Sequence, residues 1–118
     1  MASVRPLLEN VARDIEPQVR SQLGGFFGGM VRAYLPQTWV FRTEREVVSL
    51  TVDRAGAVRV VDGPATAPDV TVETSEERLV AALTSRSRAN VPPGNLKVTA
   101  HTPKGKTAFD YLRGRMGL

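Results

Sequence analysis

The stretch of this chain that comes nearest to a chemical site is Ala100-His101-Thr102-Pro103-Lys104-Gly105-Lys106-Thr107. It follows an alternating strand pattern, precedes a helical one, and reads like the permissive, Ala-start form of the phosphate-binding loop, lacking only the first glycine of the stricter pattern. Backbone N–H groups at the start of a helix favour an anion, and Lys104 and Lys106 would add to that preference. A nucleotide-hydrolysing loop also needs a parallel sheet, an acidic strand for magnesium and further helices downstream, yet only 11 residues follow Thr107. Hydrolysis is set aside on that ground. Weak binding of a phosphate or carboxylate headgroup remains open.

Other chemistry has less support. His101 is the sole histidine, and its place after a strand beside a turn suits a surface or partly buried residue better than a general base. Zinc would need more His or Cys ligands than exist, and the absence of cysteine also excludes disulfides. Asp69, Glu73, Glu76 and Glu77 could gather around magnesium, but Glu76 and Glu77 have a competing place at a helix N-terminus, where negative charge is favoured. No Gly-x-Ser-x-Gly elbow occurs. The chain is expected to be non-enzymatic, with no cofactor and no metal.

The elements that position these residues can be read from periodicity. From Ser3 to Leu23, Leu7, Leu8, Val11, Ile15, Val19 and Leu23 recur at helical spacing; Pro6 suits a first turn, and Pro17 is expected to kink or split the helix near Ile15. The uncharged run Leu23-Gly24-Gly25-Phe26-Phe27-Gly28-Gly29-Met30-Val31 is too short to span a bilayer. Its glycines have the spacing of closely packed helices, at a cost of roughly 1 kcal/mol each relative to Ala. Two readings stand: a mobile helical lid or membrane-touching edge, and a tight helix crossing in an ordinary core.

After Tyr34-Leu35-Pro36 the period changes to two. Trp39 and Phe41 share one strand face, Val48, Leu50 and Val52 another, and Val58 and Val60 follow with Val61 on the opposite side. Polar turns at Thr43 to Glu46 and Asp53 to Gly56 predict an antiparallel meander. Val70 and Val72 begin a fourth strand. Thr74 and Glu77 have capping-box spacing before a helix carrying Leu79, Val80 and Leu83, and Leu96, Val98 and Ala100 form a fifth strand after the Pro/Gly loop. Lys106 to Leu118 places Phe109, Leu112 and Met116 at helical spacing. The expected fold is α+β, a five-stranded, mainly antiparallel sheet covered on one face by helices.

Length and composition agree with one domain over residues 1–118, with an N-terminal helical segment at 1–36 and the sheet with its central and C-terminal helices at 37–118. Hydrophobic residues at 42% and charged residues at 24% argue for a folded core rather than disorder. No run reaches transmembrane length, and Arg13, Asp14 and Glu16 stand where a signal peptide needs an apolar centre, so the expected location is cytoplasmic. Residues 84–118 carry seven basic groups and one acidic, a patch that suits membrane headgroups, an acyl carrier or nucleic acid, or is simply a solvated face.

Pro68-Asp69-Val70-Thr71-Val72, the helix ending in Ala82-Leu83-Thr84-Ser85-Arg86, the segment Gly94-Asn95-Leu96-Lys97-Val98-Thr99 and the closing helix together resemble the sterol carrier protein 2 (SCP-2) family from Trp39 onward. Ala100 stands where that pattern often has glycine. The resemblance implies a small α/β protein that holds a lipid, fatty acyl-CoA or sterol-like molecule between sheet and helices, and possible transfer of it. Phe26, Phe27, Met30, Trp39, Phe41, Leu83, Phe109, Leu112 and Met116 are the candidate pocket walls. Lys97, Lys104, Lys106, Arg113 and Arg115 are the candidates for an acidic headgroup or a transient contact with an anionic membrane surface. The alternative is an interaction module, with the glycine-rich run mediating a homodimer and the basic C-terminal third meeting a protein or nucleic acid. Nucleic acid is disfavoured, because Phe109 and Tyr111, the aromatics near the basic residues, fall on a helix rather than on an exposed stacking platform.

Overall fold

The computed structural model describes residues 4–25, 28–85 and 95–118. Five strands form one sheet: β1 (Gln37–Arg42), β2 (Val47–Val52), β3 (Val58–Asp62), β4 (Val70–Thr74) and β5 (Leu96–Ala100), in the order β3-β2-β1-β4-β5. The β1-β2 and β2-β3 hairpins and the β4-β5 pair are antiparallel, while β1 and β4 run parallel. The meander and the mainly antiparallel sheet match the sequence expectation.

Register decides which side chains share a face. Trp39 pairs with Leu50 and Val70, and Phe41 with Val48 and Val72, so these residues stand together on one side. All are buried. The other side carries Thr38, Arg42, Thr51, Arg59, Thr71, Glu73, Lys97 and Thr99, a mainly polar face on which Val40 and Ser49 are buried.

Helices cover the apolar face. α1 (Val4–Leu23) turns Val4, Leu8, Val11, Ala12 and Ile15 inward and packs over β2, β3 and α3 (Glu76–Ser85). It runs unsplit through Pro17, so of the kink or split expected near Ile15 the split does not occur. Pro17 is exposed, and the buried stripe that precedes it, Val4 to Ile15, offsets the roughly 3 kcal/mol that proline costs a helix interior. The Glu16 carboxylate accepts the Val58 N–H at 2.9 Å, which ties α1 to the start of β3.

The glycine-rich run does not continue α1. The chain turns at Gly24 and Gly25 and restarts as the short α2 (Gly28–Arg32). A side chain on Gly28 would collide with the Leu23 carbonyl, so the return of the chain at this point requires glycine. Of the other glycines in the run, a Cβ on Gly24 or Gly25 would meet only carbonyls of α1, and one on Gly29 would meet nothing within 4 Å.

Helix α3 is capped one residue later than the capping-box reading placed it. Ser75 Oγ accepts the Arg78 N–H at 3.1 Å, whereas Thr74 Oγ1 donates to the Asn95 carbonyl at 2.8 Å and holds β4 to β5. The Glu44 carboxylate, in the β1-β2 turn, accepts its own backbone N–H and, at 2.9 Å, that of Glu76; these two bonds hold its carboxyl below the ordinary value. Glu76, only 6% exposed, behaves in the opposite way. Burial and the neighbouring Glu46 carboxyl push it up, against the bond it accepts from Thr43 Oγ1 at 2.8 Å. Glu44 from the β1-β2 turn thus joins Glu76 and Glu77 at the start of this helix, where burial disfavours the charged form of Glu76.

In the last part of the chain, α4 (Pro103–Leu112) packs on β1, β4 and β5, and a 3-10 turn at Arg113–Met116 brings Met116 and Leu118 into the core. A Cβ on Gly105 would lie 2.5 Å from the Asp69 carbonyl oxygen, so Gly105→Ala is expected to cost about 1–3 kcal/mol, measured by urea unfolding. A raised native value for Glu76 means that the folded state binds the extra proton, so its contribution to stability falls as pH rises above the ordinary value of 4.5. Glu76→Gln keeps the acceptor for Thr43 and removes the titration. It is expected to raise the melting temperature at neutral pH and flatten its decline above pH 4.5; an unchanged slope would contradict this.

Candidate functional site

Asp69 organises the corner at which the site is built. Its Oδ2 accepts the Thr38 N–H at 2.9 Å and its Oδ1 accepts the Thr102 hydroxyl at 2.7 Å, with Lys104 Nζ at 3.8 Å. Its backbone donates to Thr38 O and accepts from His101 N, each at 2.7 Å. Thr102 in turn caps α4 by accepting the Gly105 N–H at 3.0 Å. The loop that read as an anion cradle is thus supplied with an internal carboxylate. Lys104 donates to the Pro36 carbonyl at 2.7 Å, and Lys106 pairs with Asp110 at 2.9 Å.

Beside this corner α4 and the C-terminal half of α1 stand apart on the sheet, and the gap between them is a cleft of about 710 Å³. Trp39, Leu50 and Val52 form its floor. Ile15 and Val19 line it from α1, Met30 and Val31 from α2, Leu35 from the following turn, and Ala108 and Leu112 from α4. Polar lining comes from Gln18, Ser21, Gln22, Gln37 and Thr107, and Pro17, Tyr34 and Tyr111 complete it. Met30, 63% exposed, and Tyr111, 67% exposed, leave apolar surface in water at the rim.

Gln37 holds the floor in place. Its amide nitrogen donates to the carbonyls of Tyr34 at 2.6 Å and Lys104 at 3.0 Å, and its oxygen accepts the Trp39 indole N–H at 2.9 Å. The three bonds tie the segment before β1 to α4 and fix the indole ring. Phe109 meets that ring edge-on, with centroids 5.3 Å apart, from the core side.

Of the expected wall residues, Met30, Trp39 and Leu112 line the cleft. Phe41, Leu83, Phe109 and Met116 are buried in the core and do not line it. Phe26 and Phe27 lie outside the described residues. Of the expected headgroup residues, Lys97 is exposed on the far face of the sheet opposite Glu73, and Lys104 and Lys106 have the partners given above. Arg113 donates to the Leu118 carbonyl oxygen at 3.1 Å and lies 5.4 Å from the Phe109 ring centre. The side chain of Arg115 lies outside the described residues. Lys97, Lys104, Lys106 and Arg113 are all absent from the lining.

Sequence reasoning did not single out Gln37, Leu50 or Val52 as site residues. The signal for the last two was their shared strand face, which the register places beside Trp39. His101 is exposed, with Nε2 2.9 Å from Thr71 Oγ1. Among the described residues no three His, Asp or Glu side chains come together as metal ligands, and no helix is long and apolar enough to cross a membrane.

The chain is similar in structure to a protein titled "UbiJ-SCP2 Ubiquinone synthesis protein", at 18% identity and a TM-score of 0.47, over 92% of each chain. That title carries the SCP2 name. A likeness of this degree says nothing of function. No family model matches the chain, and no curated protein does.

Gln37→Leu would leave the Trp39 N–H and two carbonyls without partners, and is expected to cost about 1–3 kcal/mol in urea unfolding. An unchanged midpoint would show that the floor does not depend on this amide.

Proposed function

We propose that this chain is a non-enzymatic lipid-binding protein that takes a fatty acyl chain or another long apolar molecule into the cleft between α1, α2 and α4. The supporting observation is the cleft itself: a concave space of about 710 Å³, open at the rim and floored by Trp39, Leu50 and Val52. Its volume falls in the range of small-molecule sites, and its walls are mainly aliphatic and aromatic. Binding would be driven by burial, at roughly 0.8 kcal/mol for each methylene removed from water, offset by the ordering of chain and side chains. No nucleophile or general base is required. The exposed rim side chains Met30 and Tyr111 favour entry and exit without unfolding, as transfer between partners would need.

Trp39 is the single tryptophan, so its fluorescence reports occupancy of the floor. A brominated alkyl chain is expected to quench it saturably. Ala108→Phe, which fills the space beside α4, is expected to weaken that binding about tenfold, or ~1.4 kcal/mol, with unchanged circular dichroism. Equal affinity in a folded Ala108→Phe protein would place the ligand elsewhere.

A further inference from the structure

The cleft has a property that neither its size nor its apolarity requires: among the described residues, no Lys, Arg, Asp or Glu lines it. This occurs in a chain with 16 basic residues and a net charge of +4. Arg32, beside Val31, is exposed and outside the lining, and the other cations next to lining residues have internal partners. Arg20, which precedes Ser21 and Gln22, lies 3.7 Å from Glu16, Lys106 next to Thr107 pairs with Asp110, and Arg113 after Leu112 donates to Leu118 O. Lys104, behind the floor, is held by Pro36 O and faces Asp69.

The polar groups that line the cleft are neutral amides and hydroxyls. The deepest, Gln37, is 4% exposed and already uses its amide oxygen and its amide nitrogen in bonds to the protein. An ionised group carried to this floor would lose its hydration and find no counter-ion, a cost of several kcal/mol. A neutral ester, ether or hydroxyl carries no such penalty, and Ser21, Gln22 and Thr107 place amide and hydroxyl groups along the lining.

We infer that the cleft discriminates by charge, taking an uncharged lipid, such as a long-chain ester, alcohol or other neutral apolar molecule, in preference to a fatty acid carboxylate. The inference rests on the lipid-binding reading and deepens it. The selecting element is the absence of a lining cation, and so the discrimination should vanish once the acid is protonated.

The test uses one brominated saturated chain of about 12 carbons in three forms, the methyl ester, the alcohol and the free acid, each titrated against Trp39 fluorescence at about pH 8, where the acid is ionised. The ester and alcohol are expected to bind at least about tenfold more tightly than the acid, and the acid to approach them as the pH is lowered toward its own pKa. Equal or tighter binding of the ionised acid would overturn charge selection while leaving lipid binding intact. Failure of all three forms to quench Trp39 would overturn the lipid-binding reading, and the selectivity with it.

Discussion

The carboxylate of Asp69 is the interaction on which the rest of the site depends. It sits where β4 begins, and it reaches β1 through Thr38, the α4 cap through Thr102 and the ammonium group of Lys104. A buried carboxylate with these donors exchanges its hydration for fixed bonds, which makes the corner specific in direction as well as stable. The same residue uses its backbone to hold β1 and the end of β5, and its carbonyl stands so close to Gly105 that α4 has one way to approach. The parallel β1-β4 pairing and the placement of α4 therefore share one anchor.

From that anchor the cleft follows by geometry. α4 is held at the β1, β4 and β5 end of the sheet, whereas α1 is tied over β2 and β3 by its apolar stripe and by Glu16. Two helices fixed at opposite sides of one apolar face leave a cleft between them, with the buried side chains of Trp39, Leu50 and Val52 at its floor. Gln37 and Phe109 hold the indole at the floor, one through a hydrogen bond and the other through an edge-on ring contact. The close approach of Gly28 to the Leu23 carbonyl sets α2 against the end of α1, where Met30 and Val31 line the cleft.

The strands were legible because alternation of Val, Leu, Trp and Phe with polar residues defines a half-buried sheet face, and the hairpin turns carried the expected Asp, Thr and Gly. Less legible were features decided by contacts distant in sequence. Thr74 and Ser75 both have a hydroxyl suited to an N-cap, and only the β5 carbonyl that Thr74 bonds assigns the cap to Ser75. Pro17 reads as a breaker until its exposed position on a packed helix is known. Likewise, size and hydrophobicity could not divide Phe109 from Leu112: the first faces the core and the second the cleft, a difference of less than one helical turn. The basic residues near the end of the chain read as a headgroup site because the sequence does not show that Asp69, Asp110 and the Pro36 carbonyl engage two of them.

An apolar cleft kept open by its own floor, with neutral groups along its walls, is most simply explained by an apolar occupant. The most direct measurement is native mass spectrometry of the freshly purified protein, followed by organic extraction and identification of what is released. A stoichiometric, uncharged lipid adduct is the expected result. Absence of any adduct, together with failure of the delipidated protein to take up an added neutral lipid, would contradict it.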